Sequence, residues 1–124
     1  MSEPLNVQGL FAAMLVSDLK AAEQFYTRML GRGPDDRPMP SLIQWRGFGM
    51  AAGIQLFEGS GTPGGSRMTL VLPDLRAAKE QLAGRGLTLG DISQGTYGRI
   101  AQLADPDGNT ITFAEPPKLK GEKA

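Results

Sequence analysis

The chain repeats itself. Met14-Leu-Val-Ser-Asp-Leu-Lys-Ala-Ala22 resembles Leu70-Val-Leu-Pro-Asp-Leu-Arg-Ala-Ala78, so Asp18 falls on Asp74, 56 residues further on. A second block, Ile54-Gln-Leu-Phe57, falls on Ile111-Thr-Phe-Ala114 at an offset of 57. Two blocks matched in the same order, slipped by one residue, are what duplication followed by a loop insertion leaves. A chain of 124 residues is one domain's worth of protein. The two copies must therefore share one core. The expected organisation is a single domain, with repeat one at 9–58, a glycine-rich joint at 59–65, repeat two at 66–115 and a polar tail at 116–124.

Each half reads the same way. Leu10–Val16 and Arg67–Leu72 are short apolar runs fit for strands. Ser17/Asp18 and Pro73-Asp74 then start helices, with an acid near the positive end of the helix dipole. Leu19, Ala22, Phe25, Tyr26, Met29 and Leu30 follow helical spacing, as do Leu75, Ala78 and Leu82. Gly31 and Gly33 close the first helix, Gly84 and Gly86 the second. Three further strands are expected in each half: Ser41–Arg46, Gly49–Gly53 and Ile54–Glu58, then Leu87–Ile92, Arg99–Leu103 and Thr110–Glu115. Asp105-Pro-Asp-Gly-Asn109 reads as a structural tight turn feeding the last strand. The pattern is β-α-β-β-β, twice.

Composition then narrows the chemistry. The chain has no cysteine and no histidine. It can form no disulfide, thiolate nucleophile, imidazole metal site or Ser-His-Asp triad. Thirteen basic residues balance thirteen acidic ones, so no basic excess draws it to nucleic acid or to an anionic membrane. The start, Met-Ser-Glu-Pro-Leu-Asn-Val-Gln, has no basic stretch leading into an apolar one, and no apolar run is long enough to span a bilayer. A cytoplasmic protein is expected.

Leu15-Val-Ser-Asp-Leu-Lys-Ala-Ala-Glu-Gln-Phe-Tyr-Thr-Arg-Met-Leu-Gly31 and Gly98-Arg-Ile-Ala-Gln-Leu-Ala-Asp-Pro-Asp-Gly-Asn109 resemble the vicinal oxygen chelate superfamily, the glyoxalase, bleomycin resistance protein and extradiol dioxygenase group. The resemblance runs over residues 9–115. It implies an α+β fold in which two βαβββ repeats form an eight-stranded, curled mixed sheet around one cavity, and it implies a homodimer. In metal-dependent members four positions hold the metal. On this chain they fall on Phe11, Gln55, Arg67 and Thr112. None supplies the imidazole or carboxylate a divalent ion needs, and Arg67 brings a permanent cation. No metal and no other cofactor is expected.

Strand alternation extends the set. If Arg67 points into the cavity, so do Thr69 and Val71; if Gln55 and Thr112 do, so do Phe57, Thr110 and Ala114. Ile54, Leu56, Ile111 and Phe113 are left for the core. Arg67 pairs with Glu58 or Asp91 if its role is structural, and faces a ligand otherwise. Trp45 is weighed as packing or as a stacking surface for a flat ligand, and Tyr97 as a pocket rim. Arg99 reads as an ion-pairing strand residue. The candidate ligand-binding residues are Phe11, Trp45, Gln55, Phe57, Arg67, Thr69, Tyr97 and Thr112; none is assigned a catalytic role. Gly59-x-Gly61-x-x-Gly64 has the letters of a dinucleotide fingerprint, but a strand follows it where a helix is required.

The leading expectation is a metal-free protein that binds or sequesters a small molecule, with an anionic, carbonyl-bearing or planar aromatic ligand fitting Arg67 best. A glyoxalase, lyase or dioxygenase-like enzyme using Glu58 or Tyr97, and a partner-binding module with a vestigial pocket, are the alternatives.

Overall fold

A computed structural model of the chain describes residue 4 and residues 10–49, 51–95 and 98–117. The β-α-β-β-β unit is present twice: β1 Leu10–Leu15, α1 Leu19–Leu30, β2 Asp36–Met39, β3 Leu42–Phe48 and β4 Ala52–Phe57, then β5 Arg67–Val71, α2 Leu75–Gly84, β6 Ser93–Gly95, β7 Gly98–Ala104 and β8 Thr110–Glu115. The eight strands form two four-stranded sheets, ordered β1-β4-β3-β2 and β5-β8-β7-β6. In each, the strand before the helix runs parallel to the last strand of its repeat, and the remaining pairs are antiparallel. Among the described residues no ladder joins β1 to β5, so the eight strands of the expected curled sheet form one four-stranded sheet per repeat.

The helices start where the sequence places them. Asp18 and Asp74 have extended backbones, and their carboxylates accept from the main-chain N–H of Ala21 and Ala77, each at 3.0 Å. A second acid serves each helix start by the same duplication: Glu58 accepts from Leu19 N at 2.6 Å and Glu115 from Leu75 N at 2.7 Å. Both satisfy N–H groups that the helix leaves without partners, and both put negative charge at the positive end of its dipole. Asp18→Ala is expected to cost about 1 kcal/mol. Chemical denaturation of the variant beside wild type measures it.

One face of each helix supplies the core. Leu19, Ala22, Phe25, Tyr26 and Met29 of α1 and Leu75, Ala78 and Leu82 of α2 are buried. Against them pack Met14, Ile43, Trp45, Ile54, Leu56, Met68, Ile111 and Phe113 from the helix-covered faces of the sheets. Ile54, Leu56, Ile111 and Phe113 are thus core, as alternation requires.

The strand boundaries differ in three places. The chain reverses through Gly47 and Gly49, both at positive φ, so Gly49–Gly53 is mostly the β3–β4 turn. Its place among the three strands is taken by β2, whose Asp-Arg-Pro-Met sequence carries no β-forming signal and whose proline suits an edge strand. Leu87–Ile92 is not a strand either; Leu87 and Leu89 are buried loop residues that plug the core, and β6 follows them.

The Asp105–Asn109 turn joins the repeats. Asn109 is fully buried and spends every hydrogen bond its amide can make. Oδ1 accepts from Gly64 N at 3.1 Å and Ser66 N at 2.9 Å; Nδ2 donates to Leu15 O at 3.0 Å and Asp105 Oδ2 at 2.8 Å. Asp105 also accepts from the Tyr26 hydroxyl of α1 at 2.9 Å and from its own turn's N–H groups. Burial, and then the Asp105 carboxylate, push the Tyr26 phenol well above its ordinary range, so it stays a donor. Asp107 accepts from the main-chain N–H and the hydroxyl of Ser17, and Ser66 Oγ accepts from Leu15 N at 3.2 Å. The turn is structural, as its sequence suggests.

Among the described residues no helix is long and apolar enough to cross a membrane.

Candidate functional site

Each sheet buries one face under its helix and leaves the other open. On β1, Met14 and Val16 are buried on the covered side, which puts Phe11, Ala13 and Leu15 on the open one. Phe11 stands directly opposite Gly53 in the ladder. A Cβ on Gly53 would lie 2.5 Å from the Phe11 ring and 2.5 Å from the Trp45 carbonyl oxygen. The ring therefore lies over the β4 backbone at Gly53, 41% exposed. Gly53→Val is expected to lift Phe11 off the sheet and to lower stability by about 2 kcal/mol or more through overpacking, measured by thermal melting.

A polar row crosses the open face of the first sheet. Asp36, Gln44, Gln55 and Ala13 are neighbours in register across β2, β3, β4 and β1. Gln44 Nε2 donates to Asp36 at 2.9 Å, and Gln55 Nε2 donates to Gln44 Oε1 at 3.0 Å. Arg46 pairs with Asp36 through Nε at 2.6 Å. That guanidinium, with the Gln44 amide, holds the Asp36 carboxyl below its usual range. Above Gln55 lies a cavity of about 350 Å³, walled by Ala13, Met39, Leu42 and Phe57, with Ser41 and Glu58 at its margin.

The second sheet carries a related row. Thr69, Thr112 and Gln102 align across β5, β8 and β7, and Gln102 Nε2 donates to Thr112 Oγ1 at 3.0 Å. Gln102 also borders a shallow cavity of about 300 Å³ with Asp91 and Ser93. Thr69 reaches a larger one, about 630 Å³, between the helices and the free edge of β5. That cavity is lined by Met29, Leu30, Leu70, Leu82 and Phe113, with Arg85 among them. Arg85 donates to Met29 O at 3.1 Å and so closes the end of α1. Its helix-side position was not foreseen from the sequence.

Two expectations need correction. Trp45 is not a ligand surface. It is completely buried on the helix-covered face of β3, donates from Nε1 to Arg32 O at 2.9 Å and packs against Tyr26 with ring centres 6.3 Å apart. Its neighbours Gln44 and Arg46 take the open face instead. Arg67 is not a buried guanidinium. It is exposed at the start of β5, and it makes no ion pair or hydrogen bond among the described residues, with Glu58, Asp91 or any other partner. Glu58 accepts from the Leu19 N–H through one carboxylate oxygen and lines the cavity over Gln55. Arg67→Met is accordingly expected to change stability by less than about 0.5 kcal/mol, a result that equilibrium denaturation can check.

Phe11, Gln55, Phe57, Arg67, Thr69 and Thr112 all lie on the open faces, as alternation implies. They divide between two sheets, with Phe11, Gln55 and Phe57 on the first and Arg67, Thr69 and Thr112 on the second. Tyr97 lies outside the described residues. Arg99 pairs with Glu115 at 2.6 Å, the ion-pairing role expected of it. The residues sequence reasoning passed over are Gln44, Asp36 and Gln102. Period-two alternation from the buried Ile43 and Trp45 puts Gln44 on the open face and was the available signal.

No protein-family model and no curated protein sequence matches the chain. Solved structures do. A glyoxalase/bleomycin resistance protein from Catenulispora acidiphila DSM 44928 superposes with a TM-score of 0.80 at 28% identity, covering 90% of this chain and all of its own. TnmS3, an antibiotic-binding protein from Streptomyces sp. CB03234, superposes at 0.77 with 28% identity over 94% of this chain and all of its own. The chain has the fold of the glyoxalase/bleomycin resistance proteins and is similar to the vicinal oxygen chelate superfamily. A bleomycin resistance determinant encoded on transposon Tn5 shares the fold at a TM-score of 0.72 and 21% identity, over 87% of this chain and 97% of its own.

Many vicinal oxygen chelate proteins hold a metal, and the positions that would do so here are Phe11, Gln55, Arg67 and Thr112. A benzyl ring, an amide already donating to Gln44, a cation and a hydroxyl already accepting from Gln102 do not fit a divalent ion. Among the described residues no three His, Cys, Asp or Glu side chains come close enough to hold one elsewhere.

Proposed function

We propose that the chain is a metal-free vicinal oxygen chelate protein that binds or sequesters a small organic molecule on the open faces of its sheets, working as a cytoplasmic homodimer. The donor set carries this reading: the positions that would hold a metal present a ring, an amide, a cation and a hydroxyl. These groups bind organic molecules and activate nothing by acid–base or Lewis-acid chemistry. A cavity with mostly apolar walls and a few polar groups, the Gln55 amide with Ser41 and Glu58, has the composition of a binding pocket. The antibiotic-binding relative supports an antibiotic or a similar metabolite as the ligand class.

Arg67 and the aromatic rings direct the choice of ligand. An exposed guanidinium with no carboxylate on it among the described residues favours an anion or a carbonyl, and Phe11 and Phe57 offer faces for a planar ring. The exposed apolar residues Leu10, Phe11, Met39 and Val71 support self-association. Aromatic carboxylates such as hydroxynaphthoates are expected to raise the melting temperature in proportion to concentration, and Arg67→Met is expected to remove that response. An unchanged response in Arg67→Met would remove Arg67 from the site. Light scattering at tens of micromolar is expected to give about twice the 13.2 kDa chain mass; the chain mass itself would refute the dimer.

A further inference from the structure

The row Asp36–Gln44–Gln55 has a direction, and the direction follows from chemistry rather than from which amide atom is drawn as nitrogen. An ionised carboxylate can only accept. Asp36 takes Arg46 Nε at 2.6 Å and Nη2 at 3.3 Å, and it takes Gln44 Nε2 at 2.9 Å. Gln44 must therefore turn its NH2 toward β2, which leaves its carbonyl toward β4. Gln55 must then bring its own NH2 to that carbonyl, and does so at 3.0 Å. The Gln55 carbonyl is what remains at the inner end of the row. Its neighbour there, Ala13, has no polar side-chain atom to meet it, and Leu42 and Phe57, paired on one side of the row, are apolar. Ser41 and Glu58, which also line the cavity, make no hydrogen bond to the Gln55 side chain among the described residues.

We propose that Asp36, acting through Gln44, fixes the Gln55 amide with its carbonyl facing the cavity, so that this face selects ligands carrying a hydroxyl or N–H donor on an apolar body. The proposal rests on the reading of the open face as a binding surface. Asp36 and Gln44 are positioning residues, and Gln55 is the group that touches the ligand. The second sheet supplies the contrast. Its row runs from Gln102 through Thr112 to Thr69, and no carboxylate among the described residues is bonded to Gln102. A hydroxyl can donate or accept, so that row carries no fixed polarity.

Two measurements test this. The first uses a matched pair of neutral probes, 2-naphthol and 2-methoxynaphthalene, which differ in the donor. Wild type is expected to bind the naphthol about tenfold more tightly, the worth of one hydrogen bond to an otherwise unpaired acceptor. In Asp36→Asn, where the row can run either way, the ratio is expected to fall below about threefold. In Arg46→Gln, which breaks the ion pair but leaves the carboxylate on Gln44, it is expected to stay near ten. The second needs no ligand. As pH falls through the Asp36 titration, the side-chain amide signals of Gln44 and Gln55 should move together. In Asp36→Asn that joint movement should be lost, although Asp35 stays beside the row and Glu58 lines the cavity with Gln55.

Amide signals of Gln55 indifferent to Asp36 would overturn the relay while leaving binding on this face untouched. Coupled amides with equal affinity for both probes would overturn the selectivity. Coupled amides with neither probe bound would remove this face as a binding surface, and the selectivity with it.

Discussion

Asn109→Ala is expected to destabilise the protein by about 3–5 kcal/mol, which for a chain of this size lowers the melting temperature by roughly 10–20 °C. The side chain is fully buried and makes four hydrogen bonds. Alanine leaves the N–H groups of Gly64 and Ser66 and the carbonyl of Leu15 without it, and an orphaned buried polar group costs about 1–3 kcal/mol. All of these groups lie at the seam where β1 and the joint meet the second repeat, so the loss falls on the contact between the two halves. Asp105→Asn should be nearly as damaging although it is almost isosteric. Asp105 accepts from Tyr26, Asn109 and two turn N–H groups, and an amide replaces one acceptor oxygen with a donor facing donors. Because Tyr26 bonds to the same carboxylate, Tyr26→Phe and Asp105→Asn should be strongly non-additive. Thermal melts of the four proteins in that cycle measure the coupling. Additive losses would mean that the seam is held by something else.

Gly98→Ala should cost at least about 3 kcal/mol. Gly98 opens β7 at φ +132°, where a side chain is strained, and a Cβ there would sit 2.2 Å from the Glu115 carbonyl oxygen. That oxygen belongs to the main chain of β8 and cannot swing aside as a side chain can. Relief requires prising β7 from β8 where Arg99 pairs with Glu115, and Glu115 also holds the start of α2. The substitution should thus loosen α2 as well as the strand pair. Hydrogen exchange at Leu75 and across β7 and β8 would show whether both respond. Protection lost only at residue 98 would contradict the link.

The repeat was legible because it is written in residues with fixed structural roles. Asp18 and Asp74 have to cap helices wherever an apolar stripe of period 3.6 follows them, and Ile54, Leu56, Ile111 and Phe113 alternate as half-buried strands must. β2 and β6 were not legible. Short edge strands such as Asp36–Met39 and Ser93–Gly95 bury little, so no hydrophobic pattern selects their residues. For the site, alternation gave the face of Arg67 correctly but not its exposure, because which faces remain open depends on how the two sheets meet. Of the two roles weighed for Trp45, packing holds and stacking does not: it shares parity with Ile43 and so belongs under α1, leaving Gln44 to the open face. The Asp36–Gln44–Gln55 row joins residues on three strands, one of them hidden in the sequence, and only register brings it together.

The most direct test of metal-free binding is calorimetric titration of hydroxynaphthoate into protein stripped with a chelator, with elemental analysis of the same sample. Saturable binding with an affinity unchanged, within about twofold, by later addition of zinc, nickel, manganese or iron is the expected result. Binding or turnover that appears only when one metal ion per chain is restored would contradict it.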